Sequence, residues 1–386
     1  MLTISGKYGD ALIACDEVES SAMSQIYALM NSSVSEGAHV RVMPDVHAGA
    51  GCVIGLSMRF DVSLPDLTDS GIKIVPNFVG VDIGCGVRSV KVKNPGIPLS
   101  EIDDFIRENI PAGKNTYAGA CPDLTGEILE NTRQTFSRTM YSPNVDYALR
   151  SIGTLGGGNH FIEIDEDSDG YWWIIVHSGS RHFGLEIANH YQKIAKEKCK
   201  PLGIPNELAY VEGIDCLSYL RDMDIAQRYA RMNRGMILYR LLRFLGLDDK
   251  IEDEVESVHN FIEIDFEKDR LFLRKGAVPA YEGQKLLIPL NMRDGTLLCV
   301  GKGNQEWNCT APHGAGRVLS RSAAKEKLNV EDFASDMSGI YTSCIGQSTL
   351  DEAPRAYKPM KAIVDNLDPL VSIVDVLKPV YNFKAN

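Results

Sequence analysis

Five of the eight histidines stand in glycine-rich or asparagine-flanked polar turns, a setting typical of a binding or catalytic site; they are His47, His160, His177, His259 and His313. The segment VGVDIGCGVRS adds Asp82 and Cys85, three residues apart in a glycine turn. A thiolate beside a carboxylate suits Mn²⁺ or Zn²⁺, and one thiolate can bridge two metal ions. Taken alone, however, so short a pattern more often marks a buried cysteine in a tight turn.

The segment GTLGGGNHFIEI places three glycines before an asparagine and a histidine. Such a run is costly unless something must approach the backbone closely. Strand alternation puts His160 and Ile162 on one face of the following strand, and Asn159, Phe161 and Glu163 on the other. A capped hairpin that binds nothing is the alternative interpretation.

Two further turns place an arginine four residues after a histidine. In WWIIVHSGSR a buried strand ends at His177, and the Gly/Ser turn with its arginine is suited to phosphate. In APHGAGR, His313 lies on glycine-rich backbone near Arg317, as nucleophilic or phosphate chemistry requires. The alternative for His177 is a satisfied core histidine, and the isolated pair His259–Asn260 is a weak signal by itself.

The composition excludes several classes of protein. Hydrophobic residues are 44% and charged residues 24% of 386 residues, which argues against a disordered chain or a coiled coil. The net charge of −12 excludes a purely electrostatic nucleic-acid coat, so RNA contacts would need local positive patches or metal ions. No apolar run approaches the roughly 18 residues of a membrane span. Nine cysteines without a CxxC pair, and no signal-peptide pattern, predict a reducing, cytoplasmic location.

Residue patterns predict helices and strands along the whole chain. Helices are predicted at 20–33, 99–110, 184–199, 216–245, 320–328 and 359–367. Residues rich in β-formers lie at 39–63, 70–93, 171–177 and 270–300, and 112–130 reads as a loop. No linker divides the chain, and the motifs are spread from 43 to 384. We therefore predict one compact α+β catalytic domain over residues 1–386, with mixed β-sheets flanked by helices.

The predicted helix at 216–245 is rich in arginine and contains Arg221, Arg228, Arg231, Arg234, Arg240 and Arg243. One interpretation is a positive face that follows an RNA backbone. The other is an ordinary solvated helix face, because the spacing of the arginines drifts around the helix.

Together these motifs resemble the RtcB family of GTP- and Mn²⁺-dependent RNA ligases. MPDVHAGAGCVIG, GVDIGCGV, GTLGGGNHFIEI, VHSGSR, HN, RKGA, PHGAGR and DEAPRAYK occur in the family's order and near its spacings, from about residue 40 onward. The resemblance implies an RtcB-like fold and an enzyme that joins RNA 3′-phosphate or 2′,3′-cyclic phosphate ends to 5′-hydroxyl ends. It also implies RNA repair or tRNA splicing as the process, with an archease-type activator as a further partner.

The resemblance assigns catalytic and metal roles residue by residue. His313 matches the histidine that attacks GTP and becomes guanylylated, and it is the expected catalytic residue. Two Mn²⁺ ions share one cysteine in the family. The matching ligands are Asp82, Cys85 and His160 for one ion, and Cys85, His177 and His259 for the other.

The family's nucleotide contacts map onto several segments of this sequence. The expected GTP-binding residues are Asn159, His160, Phe161, Ile162, Glu163, His259, Asn260, Pro289, Leu290, Asn291, Met292, Thr296, His313, Gly314, Ala315, Gly316, Tyr357 and Lys384. A carboxylate accepts both N1–H and N2–H of guanine, so Glu163 is the expected reader of the base. Asp45 and His47 match a motif near the site, without an assigned role.

The sequence also departs from the family pattern. PLNMRDG stands where PGSMG is common, HSGSRHFG replaces HTGSRGLG, and NFKAN replaces a terminal VKG. These departures concern the nucleotide-loop contacts, above all Leu290 and Asn291. Two rival functions accompany the ligase prediction. One is a Mn²⁺-dependent end-capping nucleotidyl transferase or phosphodiesterase on the same site, and the other is a non-catalytic RNA-binding paralogue.

Overall fold

The computed structural model describes residues 1–62 and 71–385. The predicted β-rich stretches reach residues 63 and 70, and the predicted domain reaches residue 386; these three positions lie outside the described residues. Inside the described ranges, mixed β-sheets are flanked by helices, so the predicted α+β class is confirmed.

The strands and helices follow one another along the whole chain. The strands are β1 Leu2–Gly6, β2 Gly9–Ile13, β3 Ala38–His47, β4 Ile54–Asp61, β5 Gly86–Lys93, β6 Phe161–Glu166, β7 Tyr171–Ser178, β8 Asp253–Val258, β9 Asn260–Asp265, β10 Arg270–Lys275, β11 Ala277–Pro279, β12 Lys285–Asn291, β13 Gly295–Gly301, β14 Thr310–Pro312 and β15 Val371–Lys384. The helices are α1 Ser20–Met30, α2 Leu99–Asn109, α3 Gly126–Phe136, α4 Val145–Ser151, α5 Arg181–Cys199, α6 Gly213–Leu245, α7 Arg321–Lys327, α8 Val330–Asp336 and α9 Met360–Val364.

Two of the predicted segments differ from the structure. The stretch 70–93 forms a strand only from Gly86, because the glycine turn around Asp82 and a short helical turn at Pro76–Phe78 precede it. The predicted loop 112–130 is wrong at its end, because α3 begins at Gly126 and buries Phe136 in the core.

A seven-stranded antiparallel sheet with the order β12-β13-β15-β6-β7-β5-β8 contains most of the site-bearing strands. The sheet curls until its two edge strands meet, where the backbone N–H of Leu287 on β12 donates to Ser257 Oγ on β8 at 2.9 Å. Alternate residues such as Phe161, Trp173 and Ile175 therefore pack inside the curl. Their neighbours along the strands face outward, against α2 and α6.

A second sheet lies beside the first and has the order β1-β2-β3-β4-β10-β9. Within it β2 and β3 are parallel, whereas β3, β4, β10 and β9 pair antiparallel. A short ribbon of β11 and β14 continues from β10 and brings the APHGAGR turn next to β3. The histidine motif and the MPDVH motif therefore meet, although they are far apart in the sequence.

The arginines of α6 do not form one exposed face. Arg231 and Arg234 pair with Glu256, while Arg240 and Arg243 pair with Asp123. Arg234 is completely buried, so it contributes nothing to a surface. The ion pairs favour the interpretation of α6 as a structural helix over that of an RNA-following face.

Among the described residues, no helix combines the length and the apolar character that crossing a bilayer requires.

Candidate active site

Cys85 is the centre of two groups of metal-binding side chains. Its Sγ lies 3.5 Å from His160 Nε2 and 3.3 Å from His177 Nε2. His160 Nε2 in turn lies 2.9 Å from Asp82 Oδ2. The ligand atoms of Asp82, Cys85 and His160 lie within 4.8 Å of one another, and so do those of Cys85, His177 and His259. The structure thus brings together all five predicted ligands, in the two predicted triads with the cysteine in common.

Burial sets the protonation states that a metal ion would meet. Burial, followed by the charges of neighbouring histidines, lowers the pKa of His177 and His259 well below the usual range of histidine. Both rings are therefore neutral at pH 7, as ligation requires. Burial, followed by the charge of Asp82, raises the pKa of the Cys85 thiol, so a cation is needed to deprotonate it. Thiolate, imidazole and carboxylate donors together fit Mn²⁺ or Zn²⁺, and binding should release a proton.

Two adjacent residues of α6 hold the turns that carry these ligands. Arg234 Nη1 donates to the carbonyl oxygens of Gly84 at 2.8 Å and Ser178 at 2.9 Å. The Asn233 amide donates to the carbonyls of Thr154 and Gly179, both at 3.2 Å. Both side chains are completely buried. The ligand geometry therefore depends on the helix behind the site as well as on the glycine turns.

Glycine is required where the two ligand turns touch. A Cβ atom on Gly179 would overlap the Asp82 carboxylate. Because Gly179 has no side chain, the Asp82 carboxylate can approach this turn, where the backbone N–H of Ser180 donates to Asp82 Oδ1 at 2.9 Å. Burial alone would raise the pKa of Asp82, but the hydrogen bond and charge of His160, followed by the charge of Arg181, outweigh burial and lower the pKa to about 2. Asp82 is consequently ionised throughout the neutral range.

A cavity of about 490 Å³ opens directly over His177 and His259. Most of the predicted nucleotide-binding residues line it: Asn159, Phe161, Glu163, His259, Pro289, Leu290, Asn291, Met292, His313, Gly314, Ala315, Gly316, Tyr357 and Lys384. The floor is the open end of the curled sheet, and the wall is the turn after β14. A cavity of this volume accommodates a ligand of nucleotide size.

His313 lies at the boundary between the cavity and the metal-binding residues. Its ring centroid is 4.8 Å from that of His259. Its Nδ1 lies 2.7 Å from Asp45 Oδ2, and the Asp45 side chain is completely buried. A carboxylate can only accept, so Nδ1 carries the donated proton, and in the neutral form of the ring Nε2 has the free lone pair.

Two overlapping matches to the family model described as "tRNA-splicing ligase RtcB" cover residues 28–147 and 127–385. The chain belongs to the RtcB family. The predicted resemblance is thereby confirmed, and the match begins somewhat before the first quoted motif.

Individual members of the RtcB family match over nearly the whole chain. The RNA-splicing ligase RtcB of Escherichia coli is 31% identical, with 90% of each chain covered. The protein called RNA-splicing ligase RtcB2, from another Escherichia coli strain, is 28% identical over 98% of each chain. The tRNA-splicing ligase RtcB of Nanoarchaeum equitans is 27% identical and covers 84% of this chain and 83% of its own.

Four residues expected from the RtcB family pattern to bind nucleotide do not line the cavity. His160 turns toward Asp82 and Cys85 instead. Ile162 faces the opposite side of β6, as strand alternation requires, and packs in the core with α6. Asn260 Oδ1 accepts from the backbone N–H of Gly276, and Thr296 is completely buried inside the curled sheet.

Two acids complete the site; the sequence placed the first near the site without a role and did not single out the second. The first is Asp45, which lies at an irregularity of β3 where Lys358 Nζ donates to the carbonyls on either side of it. The second is Glu352, which accepts from Tyr357 Oη at 2.6 Å and from Lys384 Nζ at 2.8 Å. Both acids stand in motifs that the sequence analysis quoted, MPDVH and DEAPRAYK. Their hydrogen-bond partners, however, are known only from the fold.

Glu352 is the acidic centre of a charged cluster beside the cavity. Burial alone would raise its pKa, but the charges of Lys384 and Arg321 outweigh burial and lower the pKa to about 2. Arg317, which the sequence predicted to face a phosphate, instead donates to Tyr357 Oη and Glu352. The cluster therefore fixes Tyr357 and Lys384 at the cavity wall.

The departure PLNMRDG forms the tight turn between β12 and β13. Asn291 Oδ1 accepts from the backbone N–H groups of Arg293 and Asp294, both at 3.0 Å. The Asn291 amide donates to the Asp294 carboxylate at 2.8 Å. Asn291 thus closes its own turn and also lines the cavity.

Proposed function

We propose that this chain is a GTP-dependent RNA ligase that joins RNA 3′-phosphate or 2′,3′-cyclic phosphate ends to 5′-hydroxyl ends. The observation that carries the proposal is the position of His313, between the Cys85-centred metal-binding residues and a cavity of nucleotide size. Membership of a family whose relatives are named RNA ligases supports it. RNA repair or tRNA splicing is the process we infer.

His313 is the nucleophile in this proposal. Asp45 holds the proton on Nδ1, which leaves Nε2 to attack the α-phosphorus of GTP. The new N–P bond forms as the bond to pyrophosphate breaks, and the buried Asp45 carboxylate stabilises the positive charge that develops on the ring. Two bound Mn²⁺ ions would supply positive charge for the phosphate oxygens. GMP then passes to the RNA 3′-phosphate, and the 5′-hydroxyl of the second RNA displaces it.

The other residues of the cavity bind and orient GTP. Glu163 stands on the cavity face of β6, and in this proposal it accepts from guanine N1–H and N2–H. Lys384 lies over the ring of Phe161, at 5.1 Å from its centroid, and is held there by Glu352. The apolar residues of the β12–β13 turn exclude water from one side of the cavity.

Several finer points belong to the same proposal. One catalytic domain over residues 1–386 is supported by site residues that come from segments between 45 and 384. A cytoplasmic location is supported by cysteines that are buried and unpaired in the described part of the chain. An archease-type activator is inferred from the family alone.

The test of the proposal is incubation of the protein with Mn²⁺ and GTP labelled at the α-phosphate, followed by a denaturing gel. We expect a labelled protein band and, after addition of the two RNA ends, a joined product. A labelled protein that caps the 3′-phosphate RNA without joining it would favour the end-capping transferase. A protein that takes up no label would favour the non-catalytic paralogue.

Asp45→Asn should slow the guanylylation of His313. The amide keeps the shape and still accepts from Nδ1–H, but it carries no charge to stabilise the imidazolium that forms during attack. We expect the single-turnover labelling rate to fall by about 100-fold or more. Metal content should stay at the wild-type level, because Asp45 is outside both ligand triads. A wild-type labelling rate would remove Asp45 from the reaction.

GTP binding should weaken as the pH falls through about 7. Burial raises the pKa of Glu163 to about 7, so protonation below that value removes one of the two acceptors for guanine. Glu163→Gln should weaken GTP binding by about 10- to 100-fold and leave ATP binding unchanged. The measurement is the dissociation constant for GTP and for ATP at a series of pH values. A variant that still prefers GTP as strongly as the wild type would refute the role of Glu163.

A further inference from the structure

Asp165 is a buried acid that the proposed reaction does not use. It lies two residues after Glu163 on β6, so both side chains point into the curled sheet. Asp165 is completely buried, and neither of its carboxyl oxygens has a hydrogen-bond donor among the described residues. An ionised carboxylate in such a place would be very costly.

In the part of the chain that the structure describes, the groups around Asp165 offer no compensating positive charge. The neighbouring strands place Trp173 of β7 and Pro379 of β15 opposite it. The indole N–H of Trp173 donates to Asp167 instead, at 3.0 Å. From β13, the Thr296 hydroxyl lies close by and also lacks a partner in the described part of the chain.

Glu163 has different neighbours from Asp165. The Asn382 amide of β15 donates to its Oε2, and the charge of Lys384 acts on it from the same strand. Both of these partners favour the ionised form of Glu163. Glu163 itself is the only acid whose charge acts directly on Asp165 among the described residues. The two buried carboxyl groups thus face the same interior space from one strand, and the Asn382 amide and the charge of Lys384 both act on Glu163.

We propose that Asp165 keeps its proton at and above neutral pH and donates it in a hydrogen bond to Glu163, which fixes the orientation of the ionised Glu163 for guanine. The inference rests on the proposed function, in which Glu163 reads the base. Asp165 is a positioning residue, because it acts on the nucleotide only through Glu163.

Physical chemistry favours this distribution of the proton. Two carboxyl groups in contact in a buried place share one proton rather than ionise together. Burial, followed by the charge of Glu163, raises the pKa of Asp165 well above its usual range. The pKa of Glu163 rises only to about 7, because Asn382 and Lys384 oppose the effect of burial. Glu163 therefore loses its proton first as the pH increases.

The arrangement gives Glu163 a defined set of acceptor sites. A carboxylate has about four lone-pair directions. Hydrogen bonds from Asn382 and Asp165 would use the two lone pairs of Glu163 that point toward the sheet. The other two lone pairs would point into the cavity. Guanine N1–H and N2–H need two adjacent acceptors, whereas the adenine edge offers no such pair of donors. Asp165 would thus strengthen the discrimination between GTP and ATP.

Three variants test the inference. Asp165→Asn keeps the shape and supplies a neutral donor, whereas Asp165→Leu keeps the approximate shape and removes the donor. Glu166→Gln is the matched control, since Glu166 is the exposed acid next along the same strand. The first measurement is the infrared carbonyl band of a protonated carboxylic acid, in protein without GTP and well above pH 7. The second is the affinity for GTP and for ATP as a function of pH.

We expect the carboxylic acid band in the wild type and in Glu166→Gln, and its loss in Asp165→Asn. Asp165→Asn should bind GTP within about twofold of the wild type with the same loss of affinity at low pH, whereas Asp165→Leu should bind GTP about tenfold more weakly and ATP unchanged. A wild type without the band, or a pH profile that Asp165→Asn displaces by a unit or more, overturns the inference. So does unchanged GTP affinity in a folded Asp165→Leu.

The outcomes also separate this inference from the proposed function. A wild type that binds ATP as well as GTP refutes guanine reading by Glu163, and with it the positioning role of Asp165, whatever the infrared band shows. A wild type that prefers GTP but lacks the band refutes the inference alone. Should Asp165→Leu fail to fold, Asp165→Asn still decides the question through both measurements.

Discussion

Replacing Cys85 by serine should empty both metal positions at once. Its thiol is the one donor that belongs to both triads, and its Sγ lies within 3.5 Å of ring nitrogens on His160 and His177. A serine hydroxyl remains protonated near neutral pH and is a poor ligand for a soft site. Loss of a partner outside the ligand shell commonly costs 10- to 100-fold in metal affinity, so loss of the shared ligand should cost at least about 100-fold.

Equilibrium dialysis followed by elemental analysis measures this loss directly. The control is Cys299→Ser, a substitution of an equally buried cysteine that lies in the core away from the ligands. It should keep the full metal content of the wild type. One metal ion retained at full occupancy in Cys85→Ser would show that the thiol does not bridge. Mg²⁺ should be a poor substitute throughout, because thiolate and imidazole are unfavourable ligands for it.

His313→Ala should abolish covalent labelling by GTP while both metal ions remain bound. The ring is outside the two triads, so its removal should leave the metal-binding residues in place. The His313 ring lies beside the metal-binding residues, at 4.8 Å from the His259 ring centroid, whereas Tyr357 and Lys384 of the cavity wall donate to Glu352. We therefore expect labelling to fall by at least about 1000-fold.

The same variant separates the two halves of the proposed reaction. RNA that already carries a 3′-guanylyl group should still be joined by His313→Ala, because the later step does not use the imidazole. The wild-type adduct should be a phosphoramidate, labile to acid and stable to base, and peptide mapping should place it on His313. Label on a lysine such as Lys275 or Lys384, or normal labelling of the variant, would contradict the mechanism.

Local patterns predicted the parts of the site that depend on the strands themselves. Alternation after the glycine run placed Asn159, Phe161 and Glu163 on one face, and these three residues do line the cavity. The same alternation excludes the Ile162 side chain, which the family pattern alone would include. The DxxC turn likewise predicted that Asp82 lies near Cys85, because the two residues are close in sequence.

The parts that sequence could not predict depend on contacts between distant segments. Asp45 and His313 are 268 residues apart, and they meet only because β3 packs beside β14. The arginines of α6 looked like a charged surface, yet Arg234 is buried and paired with Glu256. The role of Glu352 could not be predicted either, because its contacts with Tyr357 and Lys384 form only in the folded chain.

The place of β15 in the seven-stranded sheet has a consequence for the synthesis of the protein. This strand lies between β13 and β6, although it follows every other strand of the sheet in the chain. Proteins emerge from the ribosome N-terminus first, so the β12–β13 pair and the β6-β7-β5-β8 group lack the strand between them until residues 371–384 appear. Glu163 then lacks Asn382, and Glu352 lacks Lys384. A nascent chain should therefore be unable to hold a nucleotide until translation has passed residue 384.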